Sequence, residues 1–305
     1  MIQPLELVLL FPLSAALLLS LVPRDDSRTR HSLGVLFQVA WFITLLYLYK
    51  TRTINLEEFI LLATQSAALI WIRFKKNDYL LQTITWLIMS LSAASILAIS
   101  FQLALLFAFC QVLLLLFAIL QTGGLYKGRT AYESILFFLS IDLAAFFAVM
   151  LNYEWLYWIL ILPGLARILF PLASPHAKNI FFNCPTEVMI LFLATTVPVG
   201  LSLLTHAPLP PYPEILGTIA AASALFAAVV FLMEKSRRQR SVVLFMIQSS
   251  LSAALILNAQ IFGLWLCLIA LLNSILWLYL LEWPRVRIFN ILTATIIIFC
   301  LAYLS

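Results

Sequence analysis

Long uncharged stretches alternate along this chain with short clusters of polar and basic residues. Apolar runs fall near 5–22, 33–49, 56–72, 80–98, 101–121, 131–151, 155–172, 188–206, 214–233, 241–258, 261–281 and 287–304. A helix needs about 20 apolar residues to cross a hydrocarbon core about 30 Å thick, where backbone groups must be satisfied within the segment itself. The pattern predicts an all-α polytopic transmembrane bundle of twelve spans. The range is ten to thirteen, and the weakest breaks, at 98–101 and 258–261, are short and uncharged. Barrel strands, about 10 residues long and alternating in character, do not fit. The run Leu5–Val22 has neither a basic leader nor a small-residue cleavage site, so it is expected to be a retained helix rather than a signal peptide.

Composition supports this reading: of 305 residues 64% are hydrophobic and 10% charged, against roughly 25% charged in ordinary soluble domains. The basic residues then set an orientation, since Lys and Arg in short loops stay on the cytoplasmic side. Loops after odd-numbered runs hold 15 of the 18, while those after even-numbered runs hold only Lys50 and Arg52, and Arg167 lies inside a run. Both termini are therefore expected on the outer side. The net charge of +5 belongs to this topology, and no basic patch with interleaved aromatics points to nucleic acid. Cys110, Cys184, Cys267 and Cys300 are scattered without metal-binding or disulfide-framework spacing and read as buried small residues.

Two breaks between runs stand out. Ala173–Glu187 is semi-apolar and is expected to lie along the interface or re-enter the membrane, whereas Pro208, Pro210, Pro211 and Pro213 force an extended outer turn. No soluble domain, linker or low-complexity tail is visible.

The motifs of soluble enzymes, GxGxxG, the P-loop, HExxH and GxSxG, are missing, so no catalytic centre, metal or cofactor is expected. His31, His176 and His206 sit in loops or at helix ends, where a structural role outweighs a proton relay. Ionisable residues at membrane depth carry more information, because they are costly there and mark ion paths or buried pairs. Asp142 falls mid-run, and Arg167 falls in the next run, ahead of Pro171. The two can neutralise each other as a static pair or act as a charge relay, although arginine is a poor proton carrier. Glu133 and Glu187 lie near run ends, and at Glu187 a first-turn carboxylate also suits a helix N-terminus. Gln111 and Asn273 are polar residues inside runs, where helix packing is the stronger expectation.

The order of these features resembles the antiporter-like membrane subunits shared by respiratory NADH:quinone oxidoreductase (complex I), multi-subunit Na⁺/H⁺ antiporters, membrane-bound hydrogenases and two-component inorganic-carbon uptake systems. The resemblance is carried by Gly164-Leu165-Ala166-Arg167 through Pro171, then Pro175-His176-Ala177, Cys184-Pro185-Thr186-Glu187-Val188 and Ala194-Thr195-Thr196. Lys127–Ala131, Ile141-Asp142-Leu143 and the basic segment Glu234–Arg240 ahead of Ser241–Ser250 add to it, so that it covers about residues 100–280. It implies a single transmembrane domain with N-terminal helices in 1–79, a first antiporter-like group in 80–206 containing a broken seventh helix, and a partial second group in 214–305. It also implies ion-path positions. At the family's helix 5 Glu this chain has Gln111, at the helix 7 Lys it has Arg167, at the helix 8 carrier Leu193 or Pro198, and at the helix 11 Lys Asn273. None of these replacements titrates near neutral pH.

The expected function is that of an integral membrane subunit in a larger proton- or sodium-coupled transport or redox complex, dependent on other membrane subunits. Its expected location is the bacterial inner membrane. The ion-path candidates are Asp142, Arg167, Glu133, Glu187, Gln111, Asn273 and His176. The alternatives are a purely structural scaffold subunit and a self-sufficient secondary transporter.

Overall fold

A computed structural model of the chain describes residues 4–23, 26–70, 79–151, 156–168, 184, 186–208, 213–233 and 237–257. Among them the fold is all-helical, 92% helix without strands. The helices are α1 (Pro4–Leu21), α2 (Ser27–Lys50), α3 (Leu56–Ile70), α4 (Tyr79–Ile96), α5 (Phe101–Leu151), α6 (Tyr157–Ile168), α7 (Thr186–His206), α8 (Pro213–Met233) and α9 (Arg237–Leu257). Ten of the twelve apolar runs are thus helical, and the runs at 261–281 and 287–304 lie outside the described residues, as do most of Ala173–Glu187 and the turn at 209–212. Five segments are long and apolar enough to cross a membrane: Arg28–Lys50, Phe101–Gln121, Glu133–Leu151, Glu187–His206 and Glu214–Met233.

Two of those segments are arms of the single element α5, and they lie side by side. In a straight helix Ala108 and Asp142 would stand about 51 Å apart at 1.5 Å per residue. Yet one guanidinium nitrogen of Arg167 is 3.5 Å from the Ala108 carbonyl and 2.7 Å from the Asp142 carboxylate. Leu105 of the first arm also shares a buried cluster with Ala145 and Ala148 of the second. The chain therefore doubles back between the arms, as expected of two successive spans.

The centre of the bundle is α7, which packs against α3, α4, α5 and α6. Its apolar window is 94% buried, against 22% for Arg28–Lys50 and for Glu214–Met233. The latter two present exposed apolar faces, including Val39, Ile43, Leu225 and Phe226. The helix α4 stitches this centre to its neighbours through serine hydroxyls. Ser90 donates to the Leu9 carbonyl of α1 at 3.1 Å, Ser92 to Thr195 of α7 at 3.2 Å, and Ser95 to Ala104 of α5 at 2.7 Å. Such bonds hold helices together where lipid gives apolar side chains no reason to prefer protein.

At its N-terminus α2 starts earlier than its apolar run because Asp26 caps it, accepting a hydrogen bond from the Thr29 amide at 3.0 Å. The hydrogen bonds from Thr29 lower the Asp26 pKa below the usual carboxylate value. Arg30 donates to the Val22 carbonyl just past α1, and its own carbonyl accepts from Gln82 of α4 at 3.3 Å, so this basic residue is built into the helix packing.

Candidate functional site: a buried ion pair

Asp142 lies nine residues from either end of the segment Glu133–Leu151, which is the middle of that span. Arg167 is the penultimate residue of α6. The two form a forked pair: Nη1 donates to Oδ1 and Nη2 to Oδ2, each at 2.7 Å, and neither side chain is exposed. Parallel N–H···O bonds of this kind are the strong form of carboxylate recognition, because the planar guanidinium matches the carboxylate geometry.

Local structure positions the arginine. Pro163, inside α6, leaves its carbonyl one turn below Arg167, and Nη1 takes it at 3.0 Å, while Nη2 makes a longer contact of 3.5 Å to the Ala108 carbonyl. The guanidinium therefore ties α6 to both arms of α5. On the other side the backbone of α7 comes in at Gly200, where an added Cβ would lie 2.6 Å from the Cβ of Arg167. The same crossing brings Gly164 close: an added Cβ there would meet the Gly200 carbonyl at 2.9 Å. Two glycines let α6 and α7 approach to backbone contact, and that approach seals the arginine stem inside the bundle.

Several buried polar atoms of the bundle have no partner among the described residues. Gln111 follows Ala108 by one turn on the first arm and is fully buried, and among the described residues neither of its amide atoms has a hydrogen-bond partner. Nε of Arg167, Oγ1 of Thr196, one turn before Gly200 on α7, and both amide atoms of Gln248 on α9 are likewise unpartnered among the described residues. Each such atom costs about 1–3 kcal/mol when it is left dry.

Of the residues singled out from sequence, the structure joins Asp142 to Arg167 and sets Gln111 one turn from a carbonyl that Arg167 contacts. It does not bring Glu133 or Glu187 to them. Glu133 is exposed at the head of the second arm, nine residues, or about 13 Å of helix, from Asp142. Glu187 is half-buried in the first turn of α7, at the end that favours negative charge. Leu193 and Pro198 are inside α7, and Leu193 is fully buried. His176 and Asn273 lie outside the described residues. His31 is exposed, and His206 ends α7 with Nδ1 2.7 Å from the Ser202 carbonyl. Sequence reasoning passed over Gly200 and Gln248, and it used Gly164 and Thr196 only as part of the family resemblance. The glycines were the available signal, since small residues in apolar helices mark close crossings.

No family model matches the chain, and no curated protein matches it.

Proposed function

We propose that this chain is an integral membrane subunit of a hetero-oligomeric, ion-coupled transport or redox complex, in which Asp142 and Arg167 lock the subunit together rather than carry charge. The observation that carries the reading is the forked, fully buried pair at mid-span. Both carboxylate oxygens and both terminal guanidinium nitrogens are engaged with one another. Arginine keeps its proton at any physiological pH. Its release from Asp142 would leave two uncompensated charges at membrane depth, which is prohibitive unless something replaces the partner. Such a subunit contributes helices and surface to a complex whose chemistry lies on its partners, in keeping with the antiporter-like resemblance and with the loss of the family's titratable positions.

A relay through the same residues is the second reading, and the amide of Gln111 and Nε of Arg167, unpartnered among the described residues, favour it, because they offer hydrogen bonds that mobile water can use. Isolation of the chain from native membranes together with its associated subunits, followed by assay of coupled activity, tests the first reading. Copurification of redox or transport subunits supports it. A chain that purifies alone and drives solute-dependent proton flux in liposomes refutes it in favour of a self-sufficient transporter.

A further inference from the structure

The turn joining α2 to α3 is closed from both sides. At the end of α2 the Arg52 amide donates to the Tyr49 carbonyl at 3.0 Å and the Thr53 amide to Leu48 at 2.9 Å. This double closure usually places glycine at the residue that turns left-handed. Here that residue is Arg52, with φ 56°, a conformation that a Cβ makes unfavourable. Two residues after Thr53, α3 opens on a reciprocal cap. The Glu58 amide donates to the Asn55 side chain and the Asn55 amide to the Glu58 carboxylate, each at 2.8 Å. Tyr49 and Phe59 stack across the turn with ring centroids 4.8 Å apart.

This rigid turn walls an open pocket of about 750 Å³ lined by Lys50, Arg52, Thr53, Asn55 and Glu58 among others. Its height in the membrane follows from Lys50, the last residue of the candidate span Arg28–Lys50. Hydrocarbon gives way to headgroups at that level, and the exposed rings of Tyr47 and Tyr49 suit the same zone. Among the described residues neither Lys50 nor Arg52 is paired with a carboxylate, and Glu58 is engaged in its cap. These are also the two cations that break the charge asymmetry of the loops. Glycine at position 52 would close the same turn without strain, so a strained arginine beside a lysine calls for a reason other than folding.

We propose that this pocket binds the phosphoester of a phospholipid headgroup, with Lys50 and Arg52 as its cationic contacts. The guanidinium fork suits two phosphate oxygens and the ammonium acts as a point charge beside it. The rigid caps hold both on one ledge, so little ordering is required when the headgroup arrives.

The test uses the full chain in dodecyl maltoside, a detergent without phosphate, and counts bound lipid by native mass spectrometry. Dioleoyl phosphatidylglycerol is expected to form a discrete adduct with the wild type, and dioleoylglycerol, which has the same tails and no phosphate, is not. Lys50→Gln combined with Arg52→Gly is expected to weaken the adduct about tenfold, the loss expected for charge-assisted phosphate contacts, and to leave thermal stability unchanged or higher because the glycine relieves the turn. Binding of millimolar inorganic phosphate by a chain that forms no phosphatidylglycerol adduct would overturn the lipid as the occupant. Equal adducts on wild type and variant, or equal binding of dioleoylglycerol, would overturn the proposal.

Discussion

A methyl group at Gly200 and the side chain of Arg167 cannot share the space between α6 and α7, because the added Cβ would sit 2.6 Å from the arginine Cβ. Gly200→Ala should therefore push the helices apart at the point where Arg167 is held, with a loss of about 1–3 kcal/mol from overpacking. Gly164→Ala, which meets a backbone carbonyl at 2.9 Å and Leu204 at 2.7 Å, should behave alike. Thermal unfolding of the detergent-purified chain measures both. Wild-type stability in each would contradict the close crossing.

The ion pair itself predicts strong non-additivity. Asp142→Asn or Arg167→Met alone leaves one charge without its counter-charge in the bundle, at a cost of about 3–5 kcal/mol. The double variant removes both charges and should recover most of that loss. Membrane abundance and unfolding midpoint of the two single variants and the double variant form the cycle that reads this coupling. Additive losses would mean that the two residues act independently.

Gln111→Leu separates packing from function. The wild-type amide is buried with neither polar atom partnered among the described residues, so an apolar residue of similar size should raise stability by about 1–3 kcal/mol. A stabilised variant with normal coupled activity fits the locking role of this region. A stabilised variant that loses activity assigns the amide to a water or ion path.

The serines of α4 should contribute about 0.6 kcal/mol each, the average for hydrogen bonds between membrane helices. Ser92→Ala and Ser95→Ala cut separate bonds, to α7 and to α5. Their effects on the unfolding midpoint should add, and a much larger loss from either would show that the carbonyl it leaves has no other partner.

Much of this architecture was legible in the sequence, and the reason lies in the bilayer. A helix has to satisfy its own backbone in lipid, so apolar runs of about 20 residues announced helices at Pro4–Leu21, Ser27–Lys50, Thr186–His206 and the two arms of Phe101–Leu151. Asp142 and Arg167 stood out because few charges lie so deep. What the pattern could not reveal was which run becomes the centre. The apolar character of α7 and of α8 is alike, yet among the described residues one is enclosed by four helices and the other pairs mainly with α9. Lipid and protein interior select the same side chains, so hydropathy cannot separate them. The backbone contacts of Arg167 to Pro163 and Ala108 escaped for a related reason: a carbonyl acceptor leaves no trace in the residue type that carries it. The left-handed Arg52 was hidden because the residue usually found at such a position is glycine.

The most direct test of the proposed locking role is coupled ion transport or redox activity of the proposed complex, isolated with Asp142→Asn together with Arg167→Met. The pair as described predicts a complex that assembles to wild-type levels and retains its coupled activity, because both charges leave together and nothing in the subunit depends on either alone. A fully assembled complex with coupling lost would contradict that account and make Asp142 and Arg167 part of the path itself.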